Sequence, residues 1–241
     1  MESLERGDIF FLFRPAVDDD HPSRLTDVQR FFIVLKPDGR QVFRLLGVGR
    51  KRLPEAVAHE RFWGFVDRVQ RSAEALAKSL RPFDYATETR GRRHEPAVRP
   101  AGEGAYAIIL LDGQMHLSYV LEQPHHPADV QRAFRIVPEA SFALSIKNPE
   151  ASTPPGLGLG EREKTEFPEE LQEEFRDRRF EREDARLLDY PGAEFILVGA
   201  RNDPQRAYGT TLGDGHAEVF RELHLAKSQH PVKPSFEGRW Q

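Results

Sequence analysis

Apolar residues in this 241-residue chain fall mostly into short runs broken by turn signals. "DIFFLFRP" (8–15) reads as a strand, and "RFFIVLKPDGRQVFRLLGVG" (30–49) as a hairpin closed around Pro37-Asp38-Gly39. "AYAIILLDGQMHLSYVLEQP" (105–124) repeats the arrangement, with its turn at Asp112-Gly113, where glycine supplies the positive φ that a tight turn needs. "AFRIVPEASFALSIKNP" (133–149) reads as a third hairpin and "AEFILVGA" (193–200) as a late buried strand. Successive hairpins imply an antiparallel sheet.

Between these runs the period changes. In residues 54–80, Phe62, Val66, Val69, Ala73, Leu76 and Leu80 recur at threes and fours, which predicts one long amphipathic helix with Pro54 in its first turn. "FPEELQEEFRDRRF" (167–180) predicts a shorter helix with Leu171 and Phe175 as its apolar pair, and "HAEVFRELHLAKS" (216–228) a third. Two polar stretches, 81–104 and 147–168, read as long loops. The expected fold is therefore α+β, a mainly antiparallel sheet built from hairpins with about three helices. It forms a single unit, 1–241, with a candidate sub-division into 1–104 and 105–241.

An internal echo suggests a duplicated half. "DHPSRLTDVQRFF" (20–32) and "HHPADVQRAF" (125–134) both contain His-Pro and then Asp-Val-Gln-Arg, and both lead into an expected hairpin.

The succession "ERGDIFFLFRP", "DVQRFF", "GRKRLPE", "HERFWGFVDRV", "RPAGEG", "SIKNPE", "FEGRW" resembles an uncharacterised family of prokaryotic proteins of about this length. The resemblance covers nearly the whole chain and implies one coherent unit. It brings no activity, cofactor or catalytic residue with it.

Composition narrows the chemistry. Seventeen Phe against two Met and two Trp predict a phenylalanine-rich core. With no Cys, disulfides, thiolate nucleophiles, Cys-based zinc sites and iron–sulfur clusters are excluded together. The N-terminus lacks the basic and apolar regions of a secretory signal, and no apolar run approaches the ~18 residues of a membrane helix. A cytoplasmic protein without a membrane partner is the expectation. The net charge of −4 divides into +4 over residues 1–100 and −8 over the remainder.

The basic half draws attention to "LLGVGRKRLPE" (45–55). A Walker A loop would need a hydroxyl after its Gly-Lys, and a dinucleotide-binding turn would need a third glycine where Arg52 stands. What remains is electrostatic: Arg50, Lys51 and Arg52 precede the expected helix, at the positive end of its dipole, where an anion would relieve them. A second cluster, Arg90, Arg92 and Arg93, follows that helix, which would hold the two ~35–40 Å apart. Such a separation suits an extended polyanion better than one small ligand, but the acidic total and the lack of any recognisable nucleic-acid module argue against nucleic acid.

Other motifs are absent. "HERFW" (59–63) is not H-E-x-x-H, "DDDH" (18–21) lacks calcium-loop spacing, and there is no G-x-S-x-G elbow, so no metal or cofactor is expected. Three readings stay open. The favoured one is a non-enzymatic accessory or protein-interaction protein, since no catalytic constellation is visible. The others are a binder of a small anionic or phosphate ligand at the six basic residues named, and an enzyme with a dispersed site drawing on Asp84, His94 and Glu95 for acid/base work.

Overall fold

The computed structural model describes residues 1–89, 91–153, 158–160, 163–209, 212, 218–230 and 233–240. Its first strand, β1 (Glu2–Pro15), is followed by β2 (Val28–Pro37), β3 (Phe43–Val48), β4 (Arg61–Gln70), helix α1 (Ala73–Leu80), and a separate hairpin of β5 (Phe83–Thr87) and β6 (Gly91–Glu95). Next come β7 (Arg99–Leu111), β8 (Gln114–Gln123), α2 (Asp129–Phe134), β9 (Glu139–Lys147), α3 (Glu169–Glu173), β10 (Phe180–Glu181), β11 (Glu194–Arg201), α4 (Pro204–Tyr208), α5 (Val219–Glu222) and α6 (Lys233–Phe236). The main sheet runs β9-β11-β4-β3-β2-β1-β7-β8, and β8 pairs again with β9. The fold is thus a closed antiparallel barrel of eight strands, not the α+β sheet with three helices that the sequence suggests.

Alternation builds the barrel. In β1, Ile9, Phe11 and Phe13 point into the interior, while Phe10 and Leu12 point outward beneath α1 and α5. A strand buried on both faces reads as the continuous run "IFFLF". Inside, Phe11, Phe31, Tyr119 and Phe142 are at most 1% exposed and leave the centre filled, as a barrel of eight strands allows. One mouth is sealed by α2, whose Phe134 stacks on Phe31 at 4.9 Å. The other is sealed by Leu171 of α3, by Phe175 in the turn that follows it, and by Leu187 and Leu188 of the 3-10 turn at 185–189.

At that second mouth lies a buried polar network. Arg44, fully buried, donates through Nη1 to Glu5 at 2.6 Å and through Nε to Asp189 at 2.7 Å. Tyr106 adds its hydroxyl to the same Glu5 oxygen at 2.7 Å, and Arg40 spans the two carboxylates from the solvent side. Burial drives the Tyr106 phenol well above its ordinary pKa, so it stays a donor.

Several sequence expectations need correction. The long helix over 54–80 is instead strand β4 followed by the short α1, whose Ser72 cap accepts from the Ala75 amide at 3.2 Å. Phe62 and Val66 fit a helical stripe, but they are the inward residues of a strand. Residues 133–149 form the end of α2 and strand β9 rather than a hairpin, and the loop 81–104 contains the β5–β6 hairpin and the start of β7. The helix expected over 167–180 shrinks to α3 and, among the described residues of 216–228, only α5 is helical (His216 and Ala217 lie outside them), although Leu171 and Phe175 are buried as a pair. The echo is not a structural repeat: Asp27-Val28-Gln29-Arg30 opens a strand, whereas Asp129-Val130-Gln131-Arg132 forms a helix. The hairpins at 37–39 and 112–113 stand as expected, with Asp112 and Gly113 both at positive φ, 50° and 73°. Among the described residues no helix is long and apolar enough to cross a membrane.

Candidate anion-binding surface

Because β3 runs through a loop into β4, Arg50, Lys51 and Arg52 stand between two strands, and no helix dipole opposes them. Lys51 adopts a left-handed backbone, φ 58°, an uncommon state for a residue with a side chain. Its amide closes a turn on Val48 at 3.1 Å, and its ammonium donates to the Val28 carbonyl at 2.5 Å. The loop is thereby tied to the first residue of β2.

The second basic segment reaches the same corner. The next residue, Gln29, donates from its side-chain amide to Glu95 of β6 at 3.5 Å. Arg14, opposite Arg30 in the β1–β2 register, donates to the Pro96 carbonyl at 2.7 Å and lies 3.6 Å from Glu95. The stretches around residues 50–52 and 91–95 therefore meet across Val28–Arg30 instead of standing at opposite ends of a helix.

The hairpin's own charges are largely matched. Arg92 pairs with Asp84 at 2.8 Å, and Arg93 with Asp18 at 2.6 Å. Asp18 also joins the hairpin backbone: its amide donates to the His94 carbonyl at 2.8 Å, and its carboxylate accepts the His94 amide at 2.7 Å. Arg90 lies outside the described residues. The hydrogen bond to Asp84, 2.7 Å from Nδ1, raises the His94 pKa, with Asp20 and Asp18 adding to it. His94 is half-buried and Asp84 exposed, neither lines the cavities at the barrel mouths, and Glu95 is buried against Arg14. This arrangement weighs against an acid/base site built from the three.

Toward β4 the cations are more open. The side chains of Arg50 and Arg61 form no ion pair or hydrogen bond among the described residues, and Arg52 acts through space on Glu60. Arg30 and Arg68 share Asp67, each at 3.4 Å. Between Arg61 and Arg68, the outward face of β4 carries Trp63 and Phe65, both half-buried. The Arg30 guanidinium lies 5.4 Å from the Phe65 ring centre, a cation–π contact, and Trp63 lies 6.2 Å from Phe180, itself beneath Arg179. At the root of the hairpin, Phe83 and Tyr85 are 53% and 37% exposed, with rings 5.9 Å apart. The aromatic residues escape sequence reasoning because residues 62–66 read as helix; aromatics at both odd and even positions of "RFWGF" are the signal of a strand with two apolar faces.

The concave sites are less suited to a ligand. A cavity of about 260 Å³ between Pro54–Val57 and Arg135–Pro138 falls below the usual range for small-molecule pockets, roughly 300–1,000 Å³. Its Arg135 is already held by Glu60 and Glu55. The larger clefts at the other mouth are lined by Arg40 and Arg186, which pair with Glu5, Asp189, Asp184 and Glu174.

Comparison with family models, curated proteins and solved structures returns no match, so the geometry alone bears on function.

Proposed function

We propose that this is a non-enzymatic binding protein that takes an extended anionic chain along the corner formed by the β3–β4 loop, the start of β2 and the outer face of β4. The grouping of Arg30, Arg61 and Arg68 around Trp63 and Phe65 on the outer face of β4, next to the loop that bears Arg50 and Arg52, carries this reading. A filled, sealed barrel leaves no interior for a small ligand, which turns attention to the outer wall. The open guanidinium groups of Arg50, Arg52 and Arg61 suit repeated anionic groups, and each releases counterions when it is matched.

Titration with inorganic polyphosphate, followed by tryptophan fluorescence at low and moderate salt, tests the reading. The expected result is saturable binding that weakens steeply with salt and is lost in the triple variant Arg50→Glu, Arg52→Glu, Arg61→Glu. If the wild-type protein ignores polyphosphate and every other anionic chain at low salt, the reading fails.

A further inference from the structure

We infer that the anionic chain is a single-stranded nucleic acid whose bases stack on Trp63 and Phe65 while its phosphates meet the surrounding arginines. The inference rests on the proposed polyanion surface and adds the identity of its occupant.

A chain of anions without rings would need only the cations. This surface also carries four aromatic side chains: Trp63 and Phe65, half-buried on the outer barrel wall, and Phe83 and Tyr85, exposed at the root of the adjoining hairpin. Partly exposed aromatics beside arginines are what stacking with bases requires, since each base has a flat face that tolerates any ring. The spacing fits as well. Trp63 and Phe65 are two residues apart on one face of a strand, which places them about 7 Å apart, roughly twice the 3.4 Å rise of stacked bases. Bases spread from one another by that distance can each meet a ring.

The cations support the same occupant. Apart from Lys51, which is turned back onto Val28, the cations here are arginines: Arg50, Arg52 and Arg61, together with Arg30 and Arg68, which share the single carboxylate of Asp67. Guanidinium binds phosphate oxygens in pairs and also stacks on rings, as Arg30 already does on Phe65. A double helix hides its base faces from rings of this kind, so a single strand is favoured over a duplex. The acidic total charge does not oppose this, because the carboxylates nearest these arginines are few: Asp67 is shared by two of them, and Glu60 is held by Arg135.

Fluorescence anisotropy of a labelled 20-nucleotide dT strand and its U counterpart provides the test, with unlabelled polyphosphate of equal charge, a 20-base-pair duplex and poly-glutamate as competitors. Either single strand is expected to bind at least tenfold more tightly than polyphosphate or duplex. Trp63→Ala and Phe65→Ala are each expected to weaken it five- to thirtyfold, and Trp63→Phe to retain most of the affinity, with unchanged circular dichroism confirming the fold. Equal binding of polyphosphate with no effect of the aromatic variants would overturn this inference and leave the polyanion surface standing. Tighter binding of poly-glutamate would overturn it in favour of an acidic protein partner. Failure of every anionic chain would remove both readings.

Discussion

Phe65 leans on Gly47 across the β3–β4 pair, so closely that a β-carbon at position 47 would stand 3.0 Å from the ring. The absence of a side chain at Gly47 sets how low the ring sits on the barrel wall and how Arg30 lies over it. Gly47→Ala is expected to shift the ring by a few tenths of an ångström and cost about 1 kcal/mol or less of stability, since the crowding falls on a half-buried side chain. Oligonucleotide affinity should drop several-fold while the unfolding midpoint barely moves. Parallel anisotropy and urea titrations check both.

Arg44 offers a test of the network that closes the opposite mouth. Replacing it with Met leaves Glu5 and Asp189 facing a guanidinium-sized gap with only Arg40 and the Tyr106 hydroxyl to answer them, and such a break typically costs about 3–5 kcal/mol. Adding Glu5→Gln to Arg44→Met is expected to recover part of that loss, because one uncompensated carboxylate is removed. Urea unfolding of the two single variants and the double variant yields the coupling.

Glu103 gives the protein a pH dependence. Burial pushes its pKa up to about 7, with Glu122, Glu218 and Asp8 reinforcing the rise, while the Val219 amide at 2.7 Å pulls the other way. In the unfolded chain the same carboxyl titrates near 4.5. Between those values the folded state holds more protons than the unfolded one, so stability from this group is full below about 4.5 and is lost as pH rises through 7. The difference amounts to roughly 3 kcal/mol. Glu103→Gln is expected to match the wild type at pH 5 and to melt higher at pH 8, as thermal scans at the two pH values would reveal.

Gln131 ties the end of the chain to the barrel. Fully buried in α2, its side-chain amide donates to Ala101 at 2.8 Å and to Ser235 at 2.7 Å, and its oxygen accepts from Ala128 at 3.1 Å. Nearby, Trp240 packs on Phe13 and Phe134 at 5.9 and 5.6 Å. Gln131→Ala strands two carbonyl groups and is expected to cost about 2–3 kcal/mol. It should also loosen the terminal segment, seen as a red shift of Trp240 emission in a Trp63→Phe background.

The hairpins were legible in the sequence because their turns need particular residues: Asp112-Gly113 accepts positive φ at both positions, and the flanking runs alternate. Strand β4 was not. Its inward Phe62, Val66 and Val69 fall at spacings that a helix shares, and half-burial of Trp63 and Phe65 on the other face hides the period of two. The β5–β6 hairpin is invisible to apolar patterning because charge pairs such as Asp84–Arg92 and Asp18–Arg93 help hold it. The tetrapeptide Asp-Val-Gln-Arg shows why local identity decided so little: Val28 starts a strand, and Val130 plugs a barrel mouth. For the candidate site, the individual cations were evident, but their meeting place depended on replacing one helix with a strand.

The pairing of β11 with both β4 and β9 has a consequence for how the chain reaches this shape. During synthesis β1 to β4 can zip together as a meander, and β7, β8 and β9 can extend it from the other side of β1. Until residues 194–201 emerge, β4 keeps an open edge along which a second unfinished chain could pair. Closure is therefore a late, long-range event, and contacts of that kind are slow to form. Ribosome-bound chains ending before residue 194 should be the form that most needs a chaperone.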